Sequence, residues 1–208
     1  MAYIDANYVR ANRVLPSSLS SGGSFFSETA GGTGAGPLGG GVVQVCWGRF
    51  DSRTSTVVSS SGGRIGPSLG WQVEINPRNS TNRMMVYVQW TGEIDNPWDL
   101  TLGVTRKVGS TYTDIASRVG DGSNRNSGIA PPYMTWATTS ANNLNSPTCA
   151  TYWVTDNPNT TSEIQYMPWA KWDAASSTTM YINRGFTDAN GGNYEAGICT
   201  MMVWECSY

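Results

Sequence analysis

Histidine is absent from this 208-residue chain. No imidazole can take the proton of a serine or cysteine nucleophile, so hydrolase triads and papain-type cysteine catalysis are both excluded. The four cysteines, Cys46, Cys149, Cys199 and Cys206, form no C-x-x-C pair. With no histidine beside them they offer no zinc spacing, and neither a metal nor a cofactor is expected. In a cytosolic product such thiols stay free as small buried hydrophobes. Cys199 and Cys206 on one extended strand would lie about 23 Å apart, beyond disulfide reach. Charge is also scarce: Lys and Arg number 13 against 15 Asp and Glu, a formal −2. No positive excess exists to neutralise phosphates, so nucleic acid is not an expected partner. No apolar run is long enough to span a bilayer. The opening residues Met1–Asp5, soon followed by Arg10 and Arg13, lack the apolar core of a signal peptide. The expectation is a soluble product made in the cytosol, with no membrane insertion. Helical periodicity is missing too, and Pro77, Pro97, Pro131, Pro132, Pro147 and Pro168 are scattered as breakers, which leaves an all-β class.

What the chain has in abundance suits that class. Gly (24 residues) stands with many Ser, Thr and Asn, residues that serve tight turns and pleated surfaces. Residues 17–41 are dominated by Ser and Gly, and residues 1–41 read as an extended N-terminal arm. Its apolar islands Tyr3-Ile4, Tyr8-Val9, Val14-Leu15 and Phe25-Phe26 are spaced as if to touch a neighbouring surface, a pattern that a disordered leader shares. From Val42 onward the pattern turns strand-like, with about nine strands expected at 42–47, 71–75, 84–90, 100–108, 112–118, 150–155, 163–172, 180–184 and 198–206. Residues 42–208 are thus expected to form one two-sheet sandwich or jelly roll. Its last strand is apolar on both faces: Cys199, Met201 and Val203 on one, Ile198, Thr200, Met202 and Trp204 on the other. One sandwich core covers one face, so a subunit interface is expected to cover the second. Ile198, Met201, Met202, Val203 and Trp204 are its candidates.

Catalytic chemistry finds little support. Glu74, Glu93, Asp95, Asp99 and Asp173 sit near aromatic residues and could in principle form a glycosidase pair, but as isolated acids they read as turn residues. The segments 31–36 and Gly62-Gly63-Arg64 are Gly-rich without the Gly-Lys-Ser/Thr of a phosphate loop, and read as flexible loops. Asp121-Gly122-Ser123-Asn124 lacks the alternate carboxylates of a calcium loop and reads as a turn. Nine Trp and ten Tyr are the unusual asset. Trp98, Tyr133 and Trp136 follow prolines in inferred loops and are the candidates for receptor contact.

Four ordered stretches carry a resemblance. They are Arg106-Lys107-Val108-Gly109-Ser110 with Gly120-Asp121-Gly122-Ser123-Asn124-Arg125, then 156–166 with its Asp156-Asn157-Pro158-Asn159-Thr160-Thr161-Ser162, then Tyr181-Ile182-Asn183-Arg184, and finally 198–205. Over roughly residues 100–208 the chain resembles the C-terminal modules of bacteriophage structural and tail-fibre-like proteins, especially those of marine phages. The family more often ends through Val-Met-Glu, where this chain has Val203-Trp204-Glu205. Physically, Asp156–Asn159 supplies a turn, Thr160–Ser162 is expected to begin the next strand, and Asn183-Arg184-Gly185 to end the penultimate one. The resemblance implies a jelly roll similar to complement and tumour-necrosis-factor heads, assembled as a homotrimer on a virion in the host cytoplasm. The missing acid–base machinery, the loop-rich, aromatic-rich and weakly charged surface and the N-terminal arm add to it the expectation of a non-enzymatic tail-fibre or spike head serving host adsorption, with a host-surface glycan as a candidate partner and the arm docked on another virion protein. The alternatives are a capsid decoration or head-fibre protein anchored by that arm, and, least supported, a glycan-cleaving enzyme.

Overall fold

The alternation at 83–94 organises the molecule. Met84, Val86, Val88 and Trp90 are fully buried while Met85, Tyr87 and Gln89 between them are half-exposed, the two-residue period of a strand with one face in a core. The computed structural model describes residues 41–59, 63–64, 70–94, 100–115, 147–172, 177–185 and 196–207. Among the described residues there are eleven strands and no helix. They are β1 (Val42–Phe50), β2 (Thr54–Ser59), β3 (Gly63–Arg64), β4 (Val73–Ile75), β5 (Arg83–Ile94), β6 (Leu100–Val108), β7 (Thr111–Ile115), β8 (Thr148–Asp156), β9 (Ile164–Trp172), β10 (Ser177–Ile182) and β11 (Cys199–Cys206).

The chain is all-β, in two antiparallel sheets. In the six-stranded sheet β5 is central. One edge of it pairs with β8, and the other with β11 over residues 83–89 and then with β10 over 92–94. Beyond these, β1 pairs with β11 and β2 with β10. The five-stranded sheet runs β3, β9, β6, β7, with β4 joining β9 beside β3. The sheets bury a shared core, with Met84, Val86, Val88, Met201 and Val203 from the first and Ile75, Leu102, Val104, Ile164 and Tyr166 from the second. Each such side chain contributes about 1.5–3 kcal/mol on burial. The phenol of Tyr152 in β8 donates to the carbonyl of Gly103 in β6 at 3.1 Å, and burial raises its pKa, so it stays a donor.

Several sequence expectations are corrected here. Strands β2 and β3 were not expected, and Gly63-Arg64, read as a flexible loop, pairs with Ala170 and Trp169 of β9. Glu74 and Glu93 are strand residues of β4 and β5 rather than turn residues. Pro168, expected to break structure, lies inside β9. It falls between Tyr166, which pairs with β4, and Trp169, which pairs with β3, the place on β9 where a missing N–H is tolerated. Thr160–Ser162 does not begin a strand: the Thr160 hydroxyl accepts the Ser162 N–H at 3.0 Å in a turn, and β9 starts at Ile164.

Two glycines set close approaches. At Gly92, where β5 passes from β11 to β10, a Cβ would run into the carbonyl of Tyr181. At Gly103 a Cβ would meet the ring of its cross-strand partner Trp169 at 2.7 Å. Asn183 fixes the end of β10. In the left-handed region (φ 61°), its amide Nδ2 donates to the carbonyls of Phe50 (2.7 Å) and Ser52 (3.1 Å), and its N–H donates to Thr91 (2.7 Å). Beside it the Arg184 guanidinium donates to the carbonyl of Thr54 in β2 and covers the Tyr181 ring at 4.8 Å.

Candidate interaction faces

The outward faces of the two sheets differ in chemistry. On β11, Cys199, Met201, Val203 and Glu205 point into the molecule and are fully buried, while Thr200, Met202 and Trp204 face outward and are half-exposed. Register extends this outward face across four strands. Trp47 of β1 lies opposite Met202, Met202 opposite Tyr87 of β5, and Tyr87 opposite Trp153 of β8. The adjacent row runs Val45, Trp204, Met85, Thr155 in the same way. On the other side the patch ends in a polar row, Arg49, Thr200, Gln89, Thr151. Trp47 is 60% exposed and Trp153 61%, and the exposed Val43, Val45 and Val57 belong to the same sheet. Apolar side chains grouped on one face beside a polar row make this face a candidate interaction surface.

Across the five-stranded sheet the corresponding outward row is polar. Tyr112 of β7 lies opposite Lys107 of β6, Lys107 opposite Gln165 of β9, and Gln165 opposite Glu74 of β4. The Lys107 ammonium sits 5.7 Å from the centre of the Tyr112 ring and donates to Gln165 Oε1 at 3.2 Å. The Gln165 amide passes the chain on to Glu74 Oε1 at 3.0 Å, and the Gln72 amide donates to that same oxygen at 3.1 Å.

Two carboxylates, Asp156 part-buried and Glu205 buried, hold the ends of the sandwich. Asp156, the last residue of β8, accepts from Arg106 at 2.8 and 2.9 Å and from the Tyr166 phenol at 2.8 Å, tying one sheet to the other. Burial first, and Asp156 second, raise the Tyr166 pKa, which keeps the phenol protonated as a donor. Glu205 is fully enclosed. One oxygen accepts the N–H groups of Arg78 (2.7 Å) and Asn79 (3.3 Å) and the Asn82 amide (2.7 Å), and the other accepts from Gln44 at 2.6 Å. This anchors the 76–82 connection to the last strand. Both carboxylates are occupied by fixed donors in structural roles.

The expected site residues divide accordingly. Trp98, Tyr133 and Trp136 lie outside the described residues, as do residues 1–40 of the arm, the acids Asp95, Asp99 and Asp173, and the 121–124 turn. Ile198, just before β11, is exposed, and Met202 and Trp204 lie on the outward apolar face. Met201 and Val203 do not: both are sealed in the intersheet core, where no second subunit can reach them. The residues that sequence reasoning missed are Trp47, Tyr87 and Trp153. Their signal is a strand whose two faces are both apolar, as in Val43, Val45 and Trp47 against Cys46 and Phe50. Among the described residues no group of three acids or cysteines is placed to hold a metal, and no helix is long and apolar enough to cross a membrane. Comparison with known proteins returns no matching family model, curated protein or solved structure.

Proposed function

We propose that the chain is a non-enzymatic virion structural protein, a homotrimeric jelly-roll head of a tail fibre or spike, exposed on a bacteriophage particle and serving adsorption to the host surface. The observation that carries the reading is the outward face of the six-stranded sheet. Two rows crossing four strands, Trp47, Met202, Tyr87 and Trp153 beside Val45, Trp204, Met85 and Thr155, leave an apolar surface that the described strands do not cover, and further copies of the chain are the occupants the reading assigns to it. The strand order supports the jelly-roll assignment. With the short β3 and the β2–β10 ribbon set aside, eight strands divide between the sheets as β1-β11-β5-β8 and β4-β9-β6-β7, the interleaving that two nested Greek keys produce. The resemblance of residues 100–208 to phage fibre modules supports the virion setting. Two of its motifs meet in space through the Arg106–Asp156 ion pair.

Sedimentation equilibrium of the full chain at micromolar concentration tests the assembly: the expected mass is that of three chains of 22.4 kDa each, and a single-chain mass overturns it. Quantitative mass spectrometry of purified particles tests the setting. Few copies per particle fit a fibre head, enough copies to cover the capsid redirect the reading to a decoration protein, and absence from particles overturns both.

A further inference from the structure

We propose that the cleft between the β6–β7 turn and the loop entering β9 is a binding site for a neutral carbohydrate, one or two hexopyranose units of a surface glycan. This deepens the adsorption part of the function proposed above, and rests on it for the source of the glycan. The cleft has a volume of about 330 Å³ and is lined by Lys107, Gly109, Ser162, Glu163 and Gln165. That volume lies at the small end of ligand pockets, roughly 300–1,000 Å³.

Its lining offers alternating donors and acceptors without net charge: an ammonium, a carboxylate, a hydroxyl and an amide. An anion would meet Glu163 and a cation would meet Lys107. A ligand whose every group both donates and accepts satisfies both, and a sugar's adjacent hydroxyls have that property. The groups are available. Among the described residues Glu163 makes no hydrogen bond or ion pair, and Lys107 commits one proton, to Gln165. They are also held in place before any ligand arrives, which lowers the ordering cost of binding. Lys107 is braced by Gln165 and the Tyr112 ring, and Gln165 by Glu74. Ser162 is set by its N–H bond to the Thr160 hydroxyl in a loop whose Asn159 takes a left-handed conformation (φ 53°). Gly109, at φ 56°, turns the chain without placing a side chain in the mouth, and a Cβ there would meet nothing within 4 Å. The Asp156–Arg106–Tyr166 cluster pins the start of that loop to the opposite sheet.

The test is an amide chemical-shift titration of the isotopically labelled full chain with the methyl glycosides of glucose, galactose, mannose and N-acetylglucosamine. Each is taken to roughly 100 mM, the range that a single exposed subsite of millimolar affinity needs. At least one sugar is expected to shift amides in 107–112 and 160–165, with at least a tenfold weaker Kd in Glu163→Gln and in Lys107→Met; the dispersion of each variant's spectrum shows that it is folded. No shifts with any sugar, shifts elsewhere only, or unchanged affinity in both variants would overturn the site. The same shifts produced by an uncharged blocked dipeptide would overturn the carbohydrate class. A chain that binds sugar but sediments as a monomer overturns the trimer alone, whereas a trimer that binds none overturns this site alone.

Discussion

Cys199 shows how one buried side chain couples the sandwich to pH. It opens β11 with no exposed surface, its sulfur accepting the Thr91 N–H at 3.2 Å. Burial pushes the thiol up from 9.0 to about 12, outweighing the Thr91 hydrogen bond that favours the thiolate. The folded pKa lies above the unfolded one, so the stabilising contribution is complete below pH 9 and is lost as pH rises toward 12. At full effect the slope is roughly 1.4 kcal/mol per pH unit. Cys199→Ala removes both the packing and the titration. It is therefore expected to be less stable than the parent at pH 8 by about 1–2 kcal/mol, with that gap shrinking or reversing by pH 11. Urea midpoints at the two pH values measure it, and a gap that stays constant would mean that the thiol does not titrate with unfolding.

At the scale of elements, one link between the sheets is the Arg106, Asp156 and Tyr166 cluster, in which the side chains of Arg106 and Asp156 are only 18% and 9% exposed. Tyr166→Phe removes one donor and leaves the ion pair, so a loss of about 1–2 kcal/mol is expected. Asp156→Asn leaves Arg106 without its counter-charge and costs about 3–5 kcal/mol. Because both act on one carboxylate, the double variant should fall short of the sum by at least about 0.5 kcal/mol. Strict additivity in denaturant unfolding would show that the three side chains do not act as a unit. The residues of this cluster were legible in the sequence as motifs, but their purpose was not. Arg106 and Asp156 stand fifty positions apart, and nothing local pairs them. The same divide runs through the strands. The alternations at 84–90 and 199–206 announce themselves, whereas β2, Thr-Ser-Thr-Val-Val-Ser, is a half-polar outermost strand whose composition matches a loop. On β11 alternation separates Met201 from Met202 but cannot say which faces the core, because both faces are apolar. Trp47 and Trp153 escaped notice for a related reason: what joins them is cross-strand register, which no single strand carries.

For the whole molecule, the proposed trimer makes a demand that a two-fold dimer does not. A closed ring of three is built from heterologous contacts, in which one patch of each copy meets a different patch of the next. The exposed Trp47 and Trp153 are the candidates for two such patches. They end one four-strand row, three strand spacings or about 14 Å apart, on β1 and β8, each of which is paired on one side only among the described strands. Such a ring would bring the β1 side of one copy against the β8 side of its neighbour, with Met202 and Tyr87 toward the axis. Trp47→Glu spoils one patch and Trp153→Glu the other. Each variant alone should sediment as a folded monomer, since burying an unpaired carboxylate in an apolar contact costs several kcal/mol. An equimolar mixture retains one intact pairing, the β1 side of the Trp153→Glu chain with the β8 side of the Trp47→Glu chain. It should form a two-chain species that cannot close or grow. The readout is sedimentation of the parent, each variant and the mixture, with expected masses of three, one, one and two chains. A parent that sediments as two chains would replace the ring by a two-fold contact. A mixture that stays monomeric while the parent is trimeric would place the subunit contact on another part of the surface.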